Sequence, residues 1–350
     1  MLTVGVSGMG SIPRATIWHW PVRQIRCSAR SILTHPKLRY LPQEKGIGQI
    51  KYLPPAQMNL IYMASPTVGG WVSFTAHLAL KENATVYKLS KRSEKSPRQF
   101  GYGVTYRNTA VWPAGNTLIT ALDKHHYNRL NLIPQGTYLV VHDPTEITKT
   151  LSEHIYRFRI ITIRKSVHRI LPNSIFLPHP FFPFPLKVPN LVRTPISISR
   201  IDWDKNIDVI IAANELGADI TLWGAPNRLY IHHAGLNIAN YYRGAFPKSF
   251  EAIADILASA SCIVDMSSIK HDGGGSQYTF LEAIYGGLPL ILNKKWTDVN
   301  DSIWDESNCA AVSTPEELYD ATQRTNLPIA MQLLLPHLQT NWSHHLFPLP

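Results

Sequence analysis

Gly273–Leu290 reads GGGSQYTFLEAIYGGLPL, and its order of residue types points to the architecture. Three consecutive glycines let backbone N–H groups approach an anion, and the helix expected from Ser276 or Gln277 turns its positive end toward that anion. Glu282 follows within two turns, where a carboxylate accepts hydrogen bonds from the vicinal hydroxyls of a ribose. The helix stops at Gly286-Gly287, and Pro289 opens the run LPLIL, which has the character of a buried parallel strand. Glycine loops before helices are also ordinary in α/β proteins, so this segment alone leaves nucleotide binding and plain chain reversal both open.

Outward from that stretch, the pattern alternates. Upstream lie ISISRID as a strand, Ile207–Leu216 as a helix, ADITLWG as a strand, SFEAIADILASA as a helix and SCIVDMS as a strand. The first half alternates too: NLIYMA strand, WVSFTAHLALK helix, ATVYKLS strand, Lys91–Arg107 loop, NTLITALDKHHYNRL helix, then TYLVVHDP, RFRIITIRK and SIFLPHP as strands. Strands alternating with helices predict α/β architecture, two doubly wound Rossmann-like sheets. PHPFFPFPLKVPN carries five prolines and cannot continue a helix or a central strand. The expected division is a basic extension over 1–57, an acceptor domain over 58–177, a proline linker over 178–190, a donor domain over 191–327 and a tail over 328–350. Ligands of open α/β sheets bind beyond the carboxyl ends of the strands, so the cleft between the halves is the expected site.

Composition narrows the function class. The 350 residues carry a formal charge of +10, and the basicity lies wholly before residue 186. A positive half opposite a negative one is the electrostatic footprint of a polyanion binder, with nucleic acid the commonest large polyanion and double-stranded DNA the expected partner. Solubility alone is the plainer explanation of the same lysines and arginines. Cys27, Cys262 and Cys309 are odd in number and far apart, which suggests ordinary thiols and neither a disulfide framework nor a zinc site. No apolar run is long enough to span a membrane, and the start lacks the pattern of a secretory signal, so a cytoplasmic monomer is expected, without metal or tightly bound cofactor.

Further residues converge on the cleft. Arg200 ends ISISR and Lys205 follows five residues later, an arrangement that can clamp a diphosphate as its charge develops. Trp223-Gly224 ends the next strand, where the glycine is expected to leave room for a base or sugar. Gly69-Gly70 opens the first helix of the other half. His142-Asp143 ends a first-half strand; the pair suits acceptor orientation or proton transfer, and equally a structural histidine beside a turn aspartate before Pro144.

In these residues the chain resembles the retaining nucleotide-sugar glycosyltransferases of the GT-B fold, and within them the DNA glucosyltransferases that modify 5-hydroxymethylcytosine. The likeness rests on Arg200, Lys205, the glycines leading to Tyr278-Thr279-Phe280-Leu281-Glu282-Ala283, then Gly287 and Pro289, and it covers 196–292. One departure is Gly274, which stands where many relatives keep a second glutamate. The resemblance implies a UDP-sugar donor, UDP-glucose foremost. Glu282 would hold the ribose, with Tyr278, Thr279 and Trp223 beside the nucleotide. Arg200 and Lys205 would hold the diphosphate, within a cradle of amides from Gly69, Gly70, Gly273, Gly274 and Gly275. It also implies that the departing phosphate takes the acceptor's proton, leaving His142 and Asp143 to assist.

For a DNA acceptor, Lys88, Lys91, Arg92, Lys95, Arg98 and Arg107 are candidate phosphate contacts, joined by Arg23, Arg26 and Arg30 of the N-terminal segment. Tyr87, Phe100, Tyr102 and Tyr106 interleave with them and suit base stacking or packing alike. A glycan, lipid or small-molecule acceptor, and a nucleic-acid-binding protein without turnover, are the competing readings.

Overall fold

The computed structural model describes residues 57–65, 69–246, 248–268 and 275–348. The extension carrying Arg23, Arg26 and Arg30, and the loop carrying Gly273 and Gly274, lie outside the described residues.

The first half comprises β1 (Asn59–Met63), α1 (Gly70–Lys81), β2 (Thr85–Leu89), β3 (Arg98–Gly101), β4 (Val104–Thr109), β5 (Thr117–Leu122), β6 (Tyr138–Val141), α2 (Lys149–His154), β7 (Arg159–Thr162), α3 (Lys165–Ile170) and β8 (Ile175–Phe176). The second comprises β9 (Thr194–Ile198), α4 (Ile207–Glu215), β10 (Thr221–Trp223), α5 (Arg228–His233), β11 (Tyr242–Gly244), α6 (Phe250–Ser259), β12 (Ala260–Asp265), α7 (Tyr278–Tyr285), β13 (Leu290–Asn293), β14 (Ala310–Val312), α8 (Pro315–Thr322), α9 (Leu335–Gln339) and α10 (Trp342–Leu346).

The eight-stranded sheet runs β3-β4-β2-β1-β5-β6-β7-β8 and the six-stranded sheet β11-β10-β9-β12-β13-β14. Every pairing is parallel except β3 with β4. Strand order reverses between β1 and β5 in one sheet and between β9 and β12 in the other. A crevice opens at the carboxyl end of each such reversal.

Two expectations are corrected. NTLITALDKHHYNRL is not a helix: Thr117–Leu122 is β5, buried at all six positions, and a 3-10 turn follows over Lys124–Leu132. A central parallel strand needs an apolar run buried on both faces, and TLITAL supplies it before Asp123 caps the turn by accepting the His125 N–H at 2.9 Å. Lys91–Arg107 is not all loop; it holds the hairpin β3–β4, turned through Gly101, Tyr102 and Gly103 at φ 128°, 58° and 77°. Two flanking glycines let the chain take that left-handed path.

α1 explains how the halves adhere. Its residues Val72–Ala79 are all buried, as befits a helix covered on more than one side. One apolar cluster joins Leu60, Phe74 and Leu118 of the first half to Ile196, Leu281 and Leu290 of the second. The chain end returns to α1: Lys81 Nζ donates to the His337 carbonyl at 2.6 Å, and the Glu82 carboxylate accepts from Trp342 N and Ser343 Oγ, each at 2.7 Å. Trp342 is fully buried, edge-on to Phe74 at 5.4 Å. Glu82→Ala strips a charged acceptor from those donors and should cost about 2 kcal/mol, measured as a lowered urea midpoint at constant slope.

Candidate functional site between the two sheets

The carboxyl ends of the two sheets meet at Arg164 and Gly275. Arg164 lies just beyond β7; Gly275 precedes α7. A Cβ built on Gly275 would sit 3.5 Å from Arg164 Cγ, so Gly275 lies directly on the arginine stem. Burial works against the Arg164 charge, and Asp143 and Glu146 offset it. Glu146 holds two site elements at once: Oε1 accepts from the Trp71 indole at 2.7 Å, and Oε2 accepts from the His142 backbone N–H at 2.9 Å. The start of α1, beside Gly69-Gly70, is thereby tied to the end of β6. Burial, then the Asp143 charge, pushes Glu146 up to about 8.

On the second sheet, the structure brings the Arg200–Lys205 turn against the loop beyond β12. Ser268 N donates to the Asp204 carbonyl at 2.9 Å, and Asn206 and Asn293 both donate to the Met266 carbonyl. Asn206 is left-handed, at φ 44°, a conformation asparagine tolerates well. Arg200 reaches Asp202 at 3.0 Å and Asp204 at 3.4 Å, while Lys205 lies 3.5 Å from Asp204.

Glu282 occupies a position its sequence did not disclose. It is 1% exposed, and its carboxylate oxygens have no hydrogen-bond partner among the described residues. His77 of α1 faces it, Nε2 to Oε1 at 3.7 Å, stacked between Phe181 and Tyr278. Burial pushes Glu282 up to about 8 and pulls His77 down to about 3. At neutral pH the two are therefore uncharged neighbours and not an ion pair. His77 Nδ1 accepts the Phe182 N–H at 2.9 Å, so its proton resides on Nε2, toward the glutamate.

The remaining candidates fall in varied surroundings. His142 is buried and turns Nε2 to the Thr120 carbonyl at 2.7 Å, edge-on to Phe74; burial pulls it down to about 4. Asp143 accepts the Thr145 N–H at 2.8 Å, the capping arrangement open to an aspartate before proline. Gly69 sits at φ 75°, and added Cβ atoms at Gly69 and Gly70 would meet nothing within 4 Å among the described residues. Gly224 does not leave room for a ligand: a Cβ there would lie 1.7 Å from the Ser199 carbonyl oxygen, so the end of β9 already fills the space. Trp223 is half-buried beside it, Tyr278 donates to the Pro180 carbonyl at 2.9 Å, and Thr279 Oγ1 is buried without a partner among the described residues.

Among the basic candidates, Lys91, Arg92, Lys95 and Arg107 are exposed, and Arg98 pairs with Glu94 at 2.7 Å. Lys88 is half-buried, 5.4 Å and 5.5 Å from the ring centres of Tyr62 and Tyr106, so packing on aromatic faces occupies it. Phe100 and Tyr102 are core residues.

Sequence reasoning passed over Arg164, Glu146, Trp71 and His77. Arg164 had a signal, a cation in the last residues of the expected strand RFRIITIRK; Glu146 and His77 had none, because tertiary packing alone makes their neighbours. A hollow of about 640 Å³ beside Arg193, Ser261 and Arg324 lies at the amino ends of β9, β12 and β13, opposite the end where such sheets bind ligands.

Two parallel sheets joined through α1 and a proline segment, with carboxyl ends meeting at Arg164 and Gly275, define the GT-B fold. No protein-family model matches the chain, and no curated protein matches it in sequence. Among solved structures, an alpha-glucosyltransferase in complex with UDP is similar at 13% identity and TM-score 0.56, over 83% of this chain and 98% of that one. The Anabaena protein HepE in complex with UDP and glucose is similar at 12% identity and TM-score 0.51, over 76% of this chain and 89% of its own. At such identities the shared property is the fold. Among the described residues no helix is long and apolar enough to cross a membrane.

Proposed function

We propose that the chain is a glycosyltransferase moving a hexosyl group, glucose foremost, from a UDP-sugar to a hydroxyl on modified double-stranded DNA such as 5-hydroxymethylcytosine. The observation that carries this reading is the packing of Gly275 on Arg164 at the carboxyl ends of the two sheets, with the Arg200–Lys205 turn held at the carboxyl end of β9 against the loop beyond β12, on a fold shared with UDP-bound proteins.

In this reading Arg200 and Lys205 exchange Asp202 and Asp204 for the donor's diphosphate, and Glu282 exchanges His77 for the ribose hydroxyls. The amides of Gly69, Gly70 and Gly273–Gly275 complete the cradle, with Tyr278, Thr279 and Trp223 beside it. The acceptor oxygen bonds to the anomeric carbon as the bond from that carbon to the phosphate oxygen breaks; its electron pair leaves on UDP, and that oxygen takes the hydroxyl proton. Configuration is retained and no strong protein base is needed. His142, fixed through its ring, and Asp143 shape the acceptor side.

The exposed Lys91, Arg92, Lys95 and Arg107 support the DNA acceptor. The decisive test incubates the protein with UDP-glucose and duplexes of cytosine or 5-hydroxymethylcytosine, then weighs the nucleosides. A hexose adduct on the modified base alone is expected, and transfer only to a glycan or lipid overturns the acceptor. Duplex affinity should also fall steeply with salt, and replacing Lys91, Arg92 and Lys95 by alanine should reduce the slope of log K against log salt by about 2–3, measured by fluorescence anisotropy.

A further inference from the structure

Gly275 and Ser276 carry the glycine loop into α7, and three elements distant in sequence hold them. Trp304, buried in the segment between β13 and β14, donates its indole N–H to the Gly275 carbonyl at 2.8 Å. Gly275 also rests on the Arg164 stem. Ser276 Oγ shares a hydrogen bond with His179 Nδ1 at 3.1 Å, and both residues are buried. His179 belongs to the proline segment and is itself fixed, its carbonyl accepting from His337 Nδ1 at 2.9 Å.

Ser302 builds the turn that presents Trp304. Its Oγ accepts the Trp304 N–H at 2.9 Å and donates to the Trp296 carbonyl at 2.7 Å. The two indoles flank Phe280 of α7 edge-on, with ring centres 5.0 Å away for Trp296 and 5.4 Å for Trp304. They differ at the ring nitrogen: Trp304 Nε1 reaches Gly275, whereas Trp296 Nε1 is buried without a partner among the described residues. Packing on Phe280 is therefore common to both, and the tether belongs to Trp304 alone.

A peptide group is planar and trans, so its C=O and N–H point opposite ways. Holding the Gly275 carbonyl against Trp304 turns the Ser276 N–H away from that wall. Gln277, the cap residue of α7, gives the amides behind it no side-chain acceptor, and amides at a helix start take an anion readily. Glycine loses more conformational freedom on ordering than any other residue, so a glycine run binds an anion weakly unless its end is held beforehand.

We infer that Trp304, and His179 through Ser276, are positioning residues for the donor: they fix where the glycine loop enters α7, so that its amides meet the diphosphate already in place. The inference rests on the UDP-sugar reading above. Neither residue touches the donor; each acts through the loop.

The test measures UDP affinity by calorimetry in wild type, Trp304→Phe, Trp296→Phe and Ser276→Ala, with urea unfolding alongside. Both tryptophan variants thin the wall beside Phe280 and should lower the urea midpoint. Trp304→Phe should weaken UDP about tenfold, whereas Trp296→Phe should stay within about twofold of wild type. Ser276→Ala, the mildest change, should weaken UDP about threefold to fivefold, and it decides the matter if Trp304→Phe does not fold. In transfer to a 5-hydroxymethylcytosine duplex, Trp304→Phe should raise the UDP-glucose KM in step with its lost affinity and leave the duplex KM within about twofold. Simple destabilisation does not produce that split. UDP affinity unchanged in Trp304→Phe or in Ser276→Ala, an equal loss in Trp296→Phe, or an equal rise in both KM values overturns the inference. Wild type that binds no UDP removes the UDP-sugar reading, and this inference with it; wild-type binding with any of the other results removes the inference alone.

Discussion

Arg200→Ala should lower kcat/KM for glucosyl transfer by 10²–10³-fold, about 3–4 kcal/mol of transition-state stabilisation. Arg200 is 57% exposed and, among the described residues, its guanidinium pairs with Asp202 and Asp204 of its own turn. Exposed pairs of this kind contribute little to stability, so the thermal midpoint should move little. The same guanidinium aimed at a diphosphate gains value as negative charge builds on the departing oxygens, and its planar fork engages two of them together. Arg200→Lys should restore less than a tenth of the loss, because a point charge does not reproduce the fork. The readout is UDP release at saturating and limiting donor. Unaltered turnover in both variants removes Arg200 from the reaction. The geometry of the turn survives either change, since Asp202 separately accepts from Trp203 N at 2.9 Å and from the Asn227 amide at 2.8 Å.

The doubly wound character of both sheets was legible because it depends on local patterning. β6, β7 and β13 are short apolar runs between turn signals, and α7 ends at Gly286 as its glycines predict. β5 was illegible for a specific reason. TLITAL is apolar throughout and runs into the polar KHHYNR, so a window over both imitates a helix with one polar face. The β3–β4 hairpin hid behind its charges, as edge strands do when lysine and arginine guard them. In the site, legibility tracked the distance over which a residue's neighbours are set. Arg200, Lys205 and Gly69 declare themselves through strand and helix ends adjacent in sequence. Gly224 declares a backbone constraint that looks in sequence like a binding one, because sequence cannot tell a missing side chain that admits a ligand from one that admits Ser199. The surroundings of Glu282 come from α1, some two hundred positions upstream, and no local pattern encodes them.

That hidden pairing gives Glu282→Gln two opposed effects. In the free protein burial holds the Glu282 carboxyl at about 8, against an ordinary value of about 4.3. As pH rises through the ordinary value the unfolded chain releases this proton while the native protein keeps it, so stability falls with rising pH until about 8 and then levels. Glu282→Gln carries no such proton. It should match wild type within about 1 kcal/mol at pH 5 and exceed it by ~2–4 kcal/mol at pH 8.5, read from urea unfolding at the two pH values. Donor binding should move the other way. The ribose hydroxyls are donors, and the ionised carboxylate is the form that accepts from both. UDP affinity of wild type should then rise up to tenfold per pH unit below 8 and level above it, with a proton released on binding. Glu282→Gln should bind UDP about 10–100-fold more weakly at pH 8.5 with a flat pH profile. Calorimetry in buffers of unequal ionisation enthalpy counts the proton directly. A wild-type affinity that ignores pH between 6 and 8 would mean that Glu282 stays protonated against His77 while the donor binds, and the ribose would then have to be held elsewhere.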